Sequence, residues 1–598
     1  MSLSGKKNEH QEEVHYEGNA LLRMLSYMKP YWKSMALCLL LVLVITGLEL
    51  YKPILIGDAI DQYITGDYQP GELVQERFHG VVFAALKYIA VLLILFVCNR
   101  VQYLALQETG QKIIYEMRNQ LFTHIQSLSM RFFDLTPVGK IVTRVTNDVE
   151  AVNDLYTNIL VKLFKNVVKI LGLAVVMLVL DVHMALVSFV MVPLVVVLTI
   201  AFKRISRKTY QMTRTRITAL NTFLSEHLSG MKVIQIFNRE KEKYQEFEAN
   251  SEDLYRANFR EIMVFAIFRP VIYLVSIIAL AIVLANGGQG VLAGTISYGT
   301  LYIFIQYINS FFEPIQELAE QFSTLQSAIA SAEKIFTLLD EKPLIHDPEK
   351  PVVLPLIHGK IEFDHVWFAY NGEDYILRDV SFTIEPGQKV AFVGATGAGK
   401  SSILNLIGRY YDIQKGEIRI DGVNIKDMTR DQIRGAIGQV QQDVFIFTGD
   451  IKSNIRLRND AITDQEVIDA AREVNAARFI EKLPQQYDEP VSERGATFSA
   501  GQRQLLSFAR TLAFNPAILI LDEATANIDT ETEQWIQEAL ETLMKGRTTI
   551  MVAHRLSTIQ HADKIIVMHK GKIRESGTHQ ELLEQGGIYK KLYELQLS

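Results

Sequence analysis

Residues 498–529 read FSAGQRQLLSFARTLAFNPAILILDEATANID, and this stretch decides how the rest of the chain is interpreted. It opens with a Ser/Gly turn before a helical pattern, and further on an apolar run from Ala517 to Leu521 ends in Asp522 and Glu523. Two carboxylates at the end of a buried strand need a cation or water, because an unpaired buried charge costs several kcal/mol or is neutralised. The stretch therefore predicts a site for a phosphate-bearing, metal-bound ligand beside this strand.

A glycine-rich loop upstream supplies the other half of such a site. GATGAGKSS, residues 394–402, lies between the apolar strand pattern of residues 389–393 and a helical run that begins at Ser402. In this setting the sequence predicts a P-loop, in which glycines let backbone N–H groups turn towards phosphates, a lysine neutralises the terminal phosphates and a hydroxyl binds Mg²⁺. A chance glycine-rich turn is disfavoured by that setting and by Asp522. The candidate ligand-binding residues here are Gly394, Thr396, Gly397, Gly399, Lys400, Ser401 and Ser402.

Composition points to more than one domain. The 598 residues exceed one compact domain, and the 49% hydrophobic content is concentrated in the first half. A formal net charge of -6 gives no case for nucleic-acid binding. The only two cysteines, Cys38 and Cys98, lie within apolar runs, which favours small buried hydrophobic residues over a disulfide.

The first half contains six apolar stretches, each close to the ~20 residues that a bilayer-spanning helix needs. Buried helices of a large soluble protein are a poor explanation for so many long runs. Lys and Arg accumulate in residues 100–150 and 203–260, which predicts that these segments and the second half of the chain are cytoplasmic. An amphipathic segment at 18–32 predicts an interfacial helix before the first span. The predicted spans are 34–55, 80–103, 158–180, 184–203, 262–285 and 297–320.

The two basic segments predict membrane helices that extend far into the cytoplasm and reverse direction. One reversal is expected around residues 136–139, where Pro137 and Gly139 break the helix, and the other near Gly230. The predicted domains are a flexible terminus at 1–17, a transmembrane domain at 18–335, a linker at 336–357 and a nucleotide-binding domain at 358–598.

Several ionisable residues fall inside the predicted spans. Each costs roughly 2.5 to 3.5 kcal/mol at a helix centre, so these side chains should face a cavity or a partner rather than lipid. The three lysines of the third span are expected near its external end, where their ammonium groups reach water. The residues concerned are Glu49, Lys52, Lys87, Lys162, Lys165 and Lys169.

The order of these motifs resembles that of the ATP-binding cassette (ABC) family across nearly the whole chain. Six spans followed by one cassette resemble an exporter half-transporter, particularly a subunit of heterodimeric bacterial multidrug exporters. FFDLTPVGKIVTRVTNDV, residues 132–149, is similar to the first cytoplasmic coupling region of that group. The resemblance implies a six-span α-helical membrane domain with long cytoplasmic helices, an α/β P-loop nucleotide-binding domain, ATP and Mg²⁺ as cofactors, and a bacterial cytoplasmic membrane.

The resemblance also implies roles for individual residues. Tyr370 would stack on adenine, and Gln442 would reach Mg²⁺ and the attacking water. Asp522 would hold Mg²⁺ through water, Glu523 would be the general base, and His554 would contact the terminal phosphate. Phosphoryl transfer to water needs charge neutralisation and a positioned nucleophile, which this set supplies together with Lys400.

The turn FSAGQ, residues 498–502, departs from the family pattern LSGGQ. In the family this turn contacts the nucleotide held by the opposite cassette, and Asp529 would reach across the same interface. Ala500 adds a Cβ where glycine lets the backbone approach closely or adopt a positive φ, and Phe498 replaces leucine. The residues that keep the pattern, and to which the resemblance extends this role, are Ser499, Gly501 and Gln502.

These departures favour a heterodimer. The partner is predicted to carry a normal LSGGQ and to lack the catalytic glutamate, whereas tolerated drift in a homodimer is the alternative. The leading function is ATP-driven export of amphipathic compounds by alternating access. A homodimeric lipid flippase, a peptide exporter and a membrane-anchored ATPase that does not transport are the competing hypotheses, and an importer is disfavoured because importers usually keep the two parts on separate chains.

Overall fold

The computed structural model describes residues 19–65, 74–492, 495, 497–522, 530–552 and 559–597. The chain divides into two compact units. The first unit comprises Met1–Gln126 and Val138–Glu341, and the second comprises Ser127–Pro137 and Lys342–Ser598. The segment Ser127–Pro137 therefore groups with the second unit, although the sequence predicted one continuous transmembrane domain over residues 18–335.

Every secondary-structure element described in the first unit is a helix. Side chains cap several helix starts: Asn19 accepts from the backbone N–H of Leu22, and Ser297 from that of Thr300. Two segments with π-helical hydrogen bonding, Arg144–Asp148 and Leu155–Ile159, interrupt the run before α7. The helices are α1 Ala20–Ser26, α2 Trp32–Ala59, α3 Val74–Ser127, α5 Val138–Thr143, α6 Val149–Asp154, α7 Leu160–Leu180, α8 Val182–Phe189, α9 Val192–Ser229, α10 Met231–Ile236, α11 Glu240–Leu292 and α12 Tyr298–Leu339, while α4, Met130–Leu135, belongs to the second unit.

Five helical segments of the described chain are long and apolar enough to cross a membrane. At most 28% of each apolar window is buried inside the protein, so most of these apolar side chains lie on the surface, as lipid contact requires. The sixth predicted span falls in α12, which is not among the five because polar residues such as Gln306 and Asn309 dilute its apolar character. Its membrane crossing stays a prediction. The five segments are Lys29–Ile64, Val74–Ser127, Val138–Leu180, Val182–Ser229 and Glu240–Leu292.

Helices α2 and α12 approach each other closely through glycines. A Cβ built on Gly299 would lie 2.1 Å from the carbonyl oxygen of Gly57, so neither backbone could come as near with a larger residue there. Next to this contact, Asp61 accepts a 2.7 Å hydrogen bond from the backbone N–H of Gly299. Further along α12, the Tyr307 hydroxyl donates to the backbone oxygen of Leu50 at 2.6 Å.

Both predicted reversals are confirmed as helix breaks. α4 ends at Leu135 and α5 begins at Val138, so Pro137 lies in the gap, and α9 ends one residue before Gly230. Gly139 lies inside α5, so the expectation that it breaks the helix is wrong. The expected external place of the third-span lysines disagrees with the predicted topology. α7 begins at Leu160, ten residues after the end of the segment predicted to be cytoplasmic, and Lys162, Lys165 and Lys169 lie in its first half.

The second unit contains every strand described in the chain, arranged in three sheets. A four-stranded antiparallel sheet has the order β2-β1-β4-β5, a six-stranded sheet has the order β12-β11-β3-β10-β9-β6, and β7 pairs with β8. The strands are β1 Ile361–Phe368, β2 Leu377–Ile384, β3 Lys389–Val393, β4 Lys415–Ile420, β5 Val423–Asn424, β6 Ile437–Val440, β7 Gly449–Asp450, β8 Pro490–Val491, β9 Ile518–Asp522, β10 Thr548–Val552, β11 Lys564–His569 and β12 Lys572–Gly577.

Strands β3, β9 and β10 form the parallel centre of the six-stranded sheet and are buried along almost their whole length. Their continuous apolar sequences are typical of strands that are covered on both faces. The predicted linker begins at residue 336, but α12 continues to Leu339 before the chain reaches β1. The helices that complete this unit are α13 Lys400–Ile407, α14 Arg430–Gly435, α15 Ile451–Arg456, α16 Asp464–Glu473, α17 Ala477–Ile480, α18 Ala500–Ala513, α19 Thr530–Met544, α20 His579–Gln585 and α21 Ile588–Leu597.

Candidate nucleotide-binding site

The register of the six-stranded sheet brings the ends of four strands to one edge. Val440 pairs with Leu521, Leu521 with Met551, and Met551 with Ala391. The four strands run parallel, so the segments that follow them emerge on the same side of the sheet. This edge is where ligands bind in open α/β sheets.

Three of the predicted site segments follow these strands. The loop that begins at Gly394 comes directly after β3, Asp522 is the last residue of β9, and Gln442 lies two residues beyond β6. Gln442 is exposed and Asp522 is half-buried. Glu523 and His554, which follow β9 and β10 in the sequence, lie outside the described residues, as does Asp529.

The P-loop needs glycine at defined positions. A Cβ at Gly394 would lie 2.2 Å from the backbone oxygen of Met568, so this residue allows the loop to pass beside β11. Gly397 and Gly399 have φ angles of +79° and +103°, a region that other residues rarely adopt. The glycines therefore fix the path of the loop between β3 and α13.

Lys400, the first residue of α13, is 7% exposed. Its Nζ donates to the backbone oxygens of Gly394 at 2.8 Å and Ala395 at 3.2 Å, so the ammonium group is held over the loop. Thr396 and Ser401 are exposed. An ammonium group, a hydroxyl and loop amides at the start of a helix form an arrangement suited to phosphate.

The two serines after Lys400 differ in their surroundings. Ser401 is exposed, whereas Ser402 is buried and its Oγ accepts a 3.2 Å hydrogen bond from the Tyr370 hydroxyl. Asn405 of α13 also donates to the Tyr370 hydroxyl at 3.3 Å. These bonds hold the half-buried Tyr370 ring against the helix that follows the P-loop.

Tyr411 connects Tyr370 to α4. The two tyrosine rings meet edge to face, with centroids 4.9 Å apart and planes at 87°. The Tyr411 hydroxyl donates to the carboxylate of Asp134, and Arg131 donates to Asn371 at 3.3 Å. Burial and then the Asp134 carboxylate raise the pKa of Tyr411, which keeps its hydroxyl protonated as a donor. Sequence reasoning missed Tyr411, and nothing in the sequence links it to Asp134.

The turn before α18 is built around Ser499. Its side chain accepts from the backbone N–H of Gln502 at 3.2 Å, and the Gln502 side chain accepts from the backbone N–H of Ser499 at 3.0 Å. This reciprocal pair is a capping box. Gly501 is buried in the first turn of the helix.

The two departures in this turn have different environments. Phe498 is 7% exposed and packs against Phe479 with ring centroids 6.0 Å apart, so its side chain belongs to the core. Ala500 is the exposed first residue of α18. The expectation that glycine provides a positive φ at this position is wrong here, because Ala500 has helical backbone geometry that any L-residue can adopt.

Two family models match the chain: the ABC transporter transmembrane region over residues 35–315 and the ABC transporter domain over residues 377–526. This chain belongs to the ABC transporter family. The predicted fold class and the exporter half-transporter organisation are thereby confirmed, since both regions are fused in one chain. The ABC transporter is a multi-pass membrane protein with a cytoplasmic ATPase domain whose activity is coupled to transport.

Relatives of this ABC transporter cover nearly its full length. A provisionally named ABC transporter ATP-binding protein, exp8, of Streptococcus pneumoniae is 42% identical over 96% of this chain and 97% of its own. The probable multidrug resistance ABC transporter ATP-binding/permease protein YheH of Bacillus subtilis is 40% identical over 88% and 78%. The ATP-dependent lipid A-core flippase of Syntrophus aciditrophicus is 34% identical over 97% and 96%.

Proposed function

We propose that this chain is one half of an ATP-driven exporter of amphipathic compounds and that it pairs with a non-identical half-transporter. The observation that carries the nucleotide part of the proposal is the shared edge of β3, β9 and β6, where the P-loop, Asp522 and Gln442 emerge together. A relative that is named as a multidrug resistance protein supports the export of drug-like compounds. Because ABC exporters act as dimers, a chain with one transmembrane region and one cassette requires a second half.

In this proposal the P-loop amides and Lys400 bind the phosphates of ATP, and Tyr370 stacks on adenine. Ser401, Gln442 and Asp522 would hold Mg²⁺, an ion that prefers oxygen ligands of this kind. The exposed Ser401 hydroxyl and the carboxylate at the end of β9 fit that donor set. The bound ion would neutralise charge on the terminal phosphates.

The remaining steps belong to residues of the chain. Glu523 would accept a proton from the attacking water, and His554 would hold the terminal phosphate in line. Asp529 would contact the neighbouring cassette. Ser499, Gly501 and Gln502 would complete the pocket of the partner, with the start of α18 pointing its free N–H groups at that nucleotide.

The second part of the proposal is that the two nucleotide sites of the dimer differ in hydrolysis. The sequence of this chain contains the complete hydrolytic set that the family resemblance implies, while Ala500 places a Cβ at the surface that would face the nucleotide of the partner. We therefore expect that the ATP bound by this chain is cleaved and that the ATP bound by the partner is cleaved slowly.

Composition of the assembly tests this asymmetry. The full chain is isolated from its native host under its own promoter, and native mass spectrometry is applied to the intact complex. A dimer with a second, different half-transporter is expected. A stable homodimer that hydrolyses ATP would refute the asymmetric pairing and leave ATP-driven export intact.

A lipid flippase is the second candidate, because a relative with that activity in its name aligns over nearly the full chain. ATP-dependent accumulation of a dye in inside-out vesicles distinguishes export of soluble amphiphiles from lipid flipping, which requires a labelled-lipid assay instead. Peptide export and a non-transporting ATPase have no specific structural observation in their favour. If neither the dye nor the labelled lipid moves in an ATP-dependent way with the co-purified partner present, the exporter proposal is refuted.

A further inference from the structure

Two adjoining cavities lie among the helices of the first unit. One has a volume of about 370 Å³ and the other of about 520 Å³, and Glu49 and Lys169 line both. Helices α2, α7 and α12 contribute residues to both walls, and all the lining residues lie within one compact unit. The two cavities therefore adjoin along α7, and together they form the space described below.

Charged side chains line this space. Lys165 Nζ lies 3.0 Å from Glu49 Oε1, and Lys169 Nζ lies 3.4 Å from Glu313 Oε2. These two lysines follow each other by four residues on α7 and therefore share one helix face. Ionisable groups in membrane helices are costly unless they face a cavity or a partner, which marks this face as functional.

Two further lysines line the cavities without a partner. In the part of the chain that the structure describes, neither Lys52 nor Lys162 forms an ion pair or a side-chain hydrogen bond. Lys52 lies one helical turn beyond Glu49 on α2, and Lys162 lies one turn before Lys165 on α7. The two unpaired ammonium groups thus flank the Glu49–Lys165 pair.

The balance of charge in the walls favours an anion. Four lysines and three glutamates line the two cavities, which leaves an excess of one positive charge. The third glutamate, Glu317, accepts a 2.8 Å hydrogen bond from Asn166 Nδ2. An anion that enters would therefore meet ammonium groups that have no carboxylate of their own.

The same walls contain apolar and aromatic side chains. Leu50, Ile56, Leu173 and Tyr307 line the smaller cavity next to Lys52. A ligand that uses both kinds of surface has a charged end and an apolar tail.

We propose that this space binds amphiphiles with an anionic head group. Lys162 contacts the head group at a first position, at the cytoplasmic end of α7. Lys52 contacts the head group at a second position, on the other side of the Glu49–Lys165 pair. The Glu49–Lys165 pair lies between these two positions. The inference rests on the proposed export function and names the class of compound that it moves.

Equilibrium binding to the full chain, with its co-purified partner and in phosphatidylcholine nanodiscs without nucleotide, tests the proposal. The probes carry one fluorophore on the same decyl chain, with either a phosphate or a trimethylammonium head group. We expect the phosphate probe to bind more tightly. Lys162→Gln should weaken its binding about tenfold, the factor expected for one charge-assisted hydrogen bond, whereas Lys162→Arg should retain it.

Lys87 supplies the matched control. It lies on α3, lines neither cavity, and places its Nζ 4.4 Å from the centre of the Phe83 ring. Lys87→Gln removes the same charge from a membrane helix and should leave binding of both probes unchanged. Equal or tighter binding of the trimethylammonium probe, or an unchanged phosphate affinity in Lys162→Gln, would overturn the inference.

Two additional measurements are needed. One distinguishes a bilayer lipid from a soluble amphiphile as the bound compound, and the other distinguishes failure of this inference from failure of the exporter proposal. If phosphatidylglycerol added to the nanodisc displaces the phosphate probe, the occupant is a bilayer lipid. If it does not displace the probe, the occupant is a soluble amphiphile. Loss of the partner from Lys162→Gln with unchanged probe binding would show that Lys162 pairs with the other subunit, against the inference. ATP-dependent efflux of the trimethylammonium probe alone would overturn the inference while the exporter proposal stands.

Discussion

Replacing Tyr411 with phenylalanine removes the hydroxyl that donates to Asp134 and leaves the aromatic ring in place. Hydrogen bonds to charged groups contribute roughly 1.5 to 3 kcal/mol to stability. Asp134 is exposed, so water replaces part of the lost bond, and we expect a cost of about 1 kcal/mol. The edge-to-face contact between Tyr411 and Tyr370 should persist, because it involves only the rings.

This cost should appear locally, in α4. The helix has six residues, Met130–Leu135, and is held through Asp134 and the 3.3 Å hydrogen bond from Arg131 to Asn371. Loss of about 1 kcal/mol makes local opening about fivefold more frequent. Peptides that cover residues 130–135 should therefore exchange their amide hydrogens about fivefold faster in Tyr411→Phe, whereas peptides from β9 should not change.

The pKa of Tyr411 sets the pH range of this effect. Burial and the Asp134 carboxylate raise that pKa, so the hydroxyl stays protonated throughout the range below about 10, the ordinary value for tyrosine. The stabilisation is fully present below that pH and is lost as pH rises through the raised pKa. The difference between the parent and Tyr411→Phe should therefore be equal at pH 6 and pH 8.

A double-mutant cycle decides whether the bond to Asp134 is responsible. Asp134→Asn alone should accelerate exchange in α4 to a similar degree, and adding Tyr411→Phe to it should have little further effect. Unchanged exchange in Tyr411→Phe, or effects that add in the double variant, would refute the reasoning.

Four further substitutions probe the site. Glu523→Gln should reduce ATP turnover by about 100-fold or more while ATP binding persists, as measured by parallel hydrolysis and nucleotide-binding assays; full turnover would show that the base lies elsewhere. Gly394→Ala should abolish ATP binding, because its Cβ would lie 2.2 Å from the backbone oxygen of Met568. Gly397→Ala meets no atom within 4 Å, so it should lower stability only by the ~1–2 kcal/mol that an alanine costs in the left-handed region. Equal ATP binding by the two variants would contradict this interpretation. Phe498→Leu should lower the free energy of unfolding by about 1 kcal/mol in thermal denaturation and leave hydrolysis unchanged, and a change in hydrolysis alone would place its side chain at the nucleotide instead.

The nucleotide edge was predictable because it follows from short-range patterns. An apolar run that ends in two carboxylates and a glycine-rich loop between a strand and a helix each identify the end of a parallel strand. Parallel strands share an edge, so the P-loop and Asp522 had to emerge on the same side once both strands joined one sheet. Gln442 was placed there by family resemblance, and the register of β6 against β9 agrees with it.

Contacts between distant residues were not predictable in this way. Asp134 and Tyr411 are 277 residues apart, and Glu49 and Lys165 are 116 apart, so no periodic pattern connects them. The expected external place of the α7 lysines disagrees with the predicted topology, because snorkelling is possible at either end of a span and does not depend on the direction of the helix. The sequence predicted that these lysines face a cavity or a partner, but it did not identify the partners, which are Glu49 for Lys165 and Glu313 for Lys169.

The two departures in the FSAGQ turn now carry unequal weight for the choice between a heterodimer and a homodimer. Phe498 packs in the core, so its difference from leucine concerns volume and not the nucleotide of a neighbour. Ala500 is exposed at the start of α18, and alanine in a helix is more stable than glycine by about 1 kcal/mol. Selection for a stable helix would favour alanine over glycine at position 500 in any dimer. A close approach of this backbone to a phosphate would favour glycine instead. In the proposed asymmetric pair, the pocket that this turn completes would not need fast hydrolysis and would tolerate alanine here. The structural case for that pairing rests on the Cβ of Ala500.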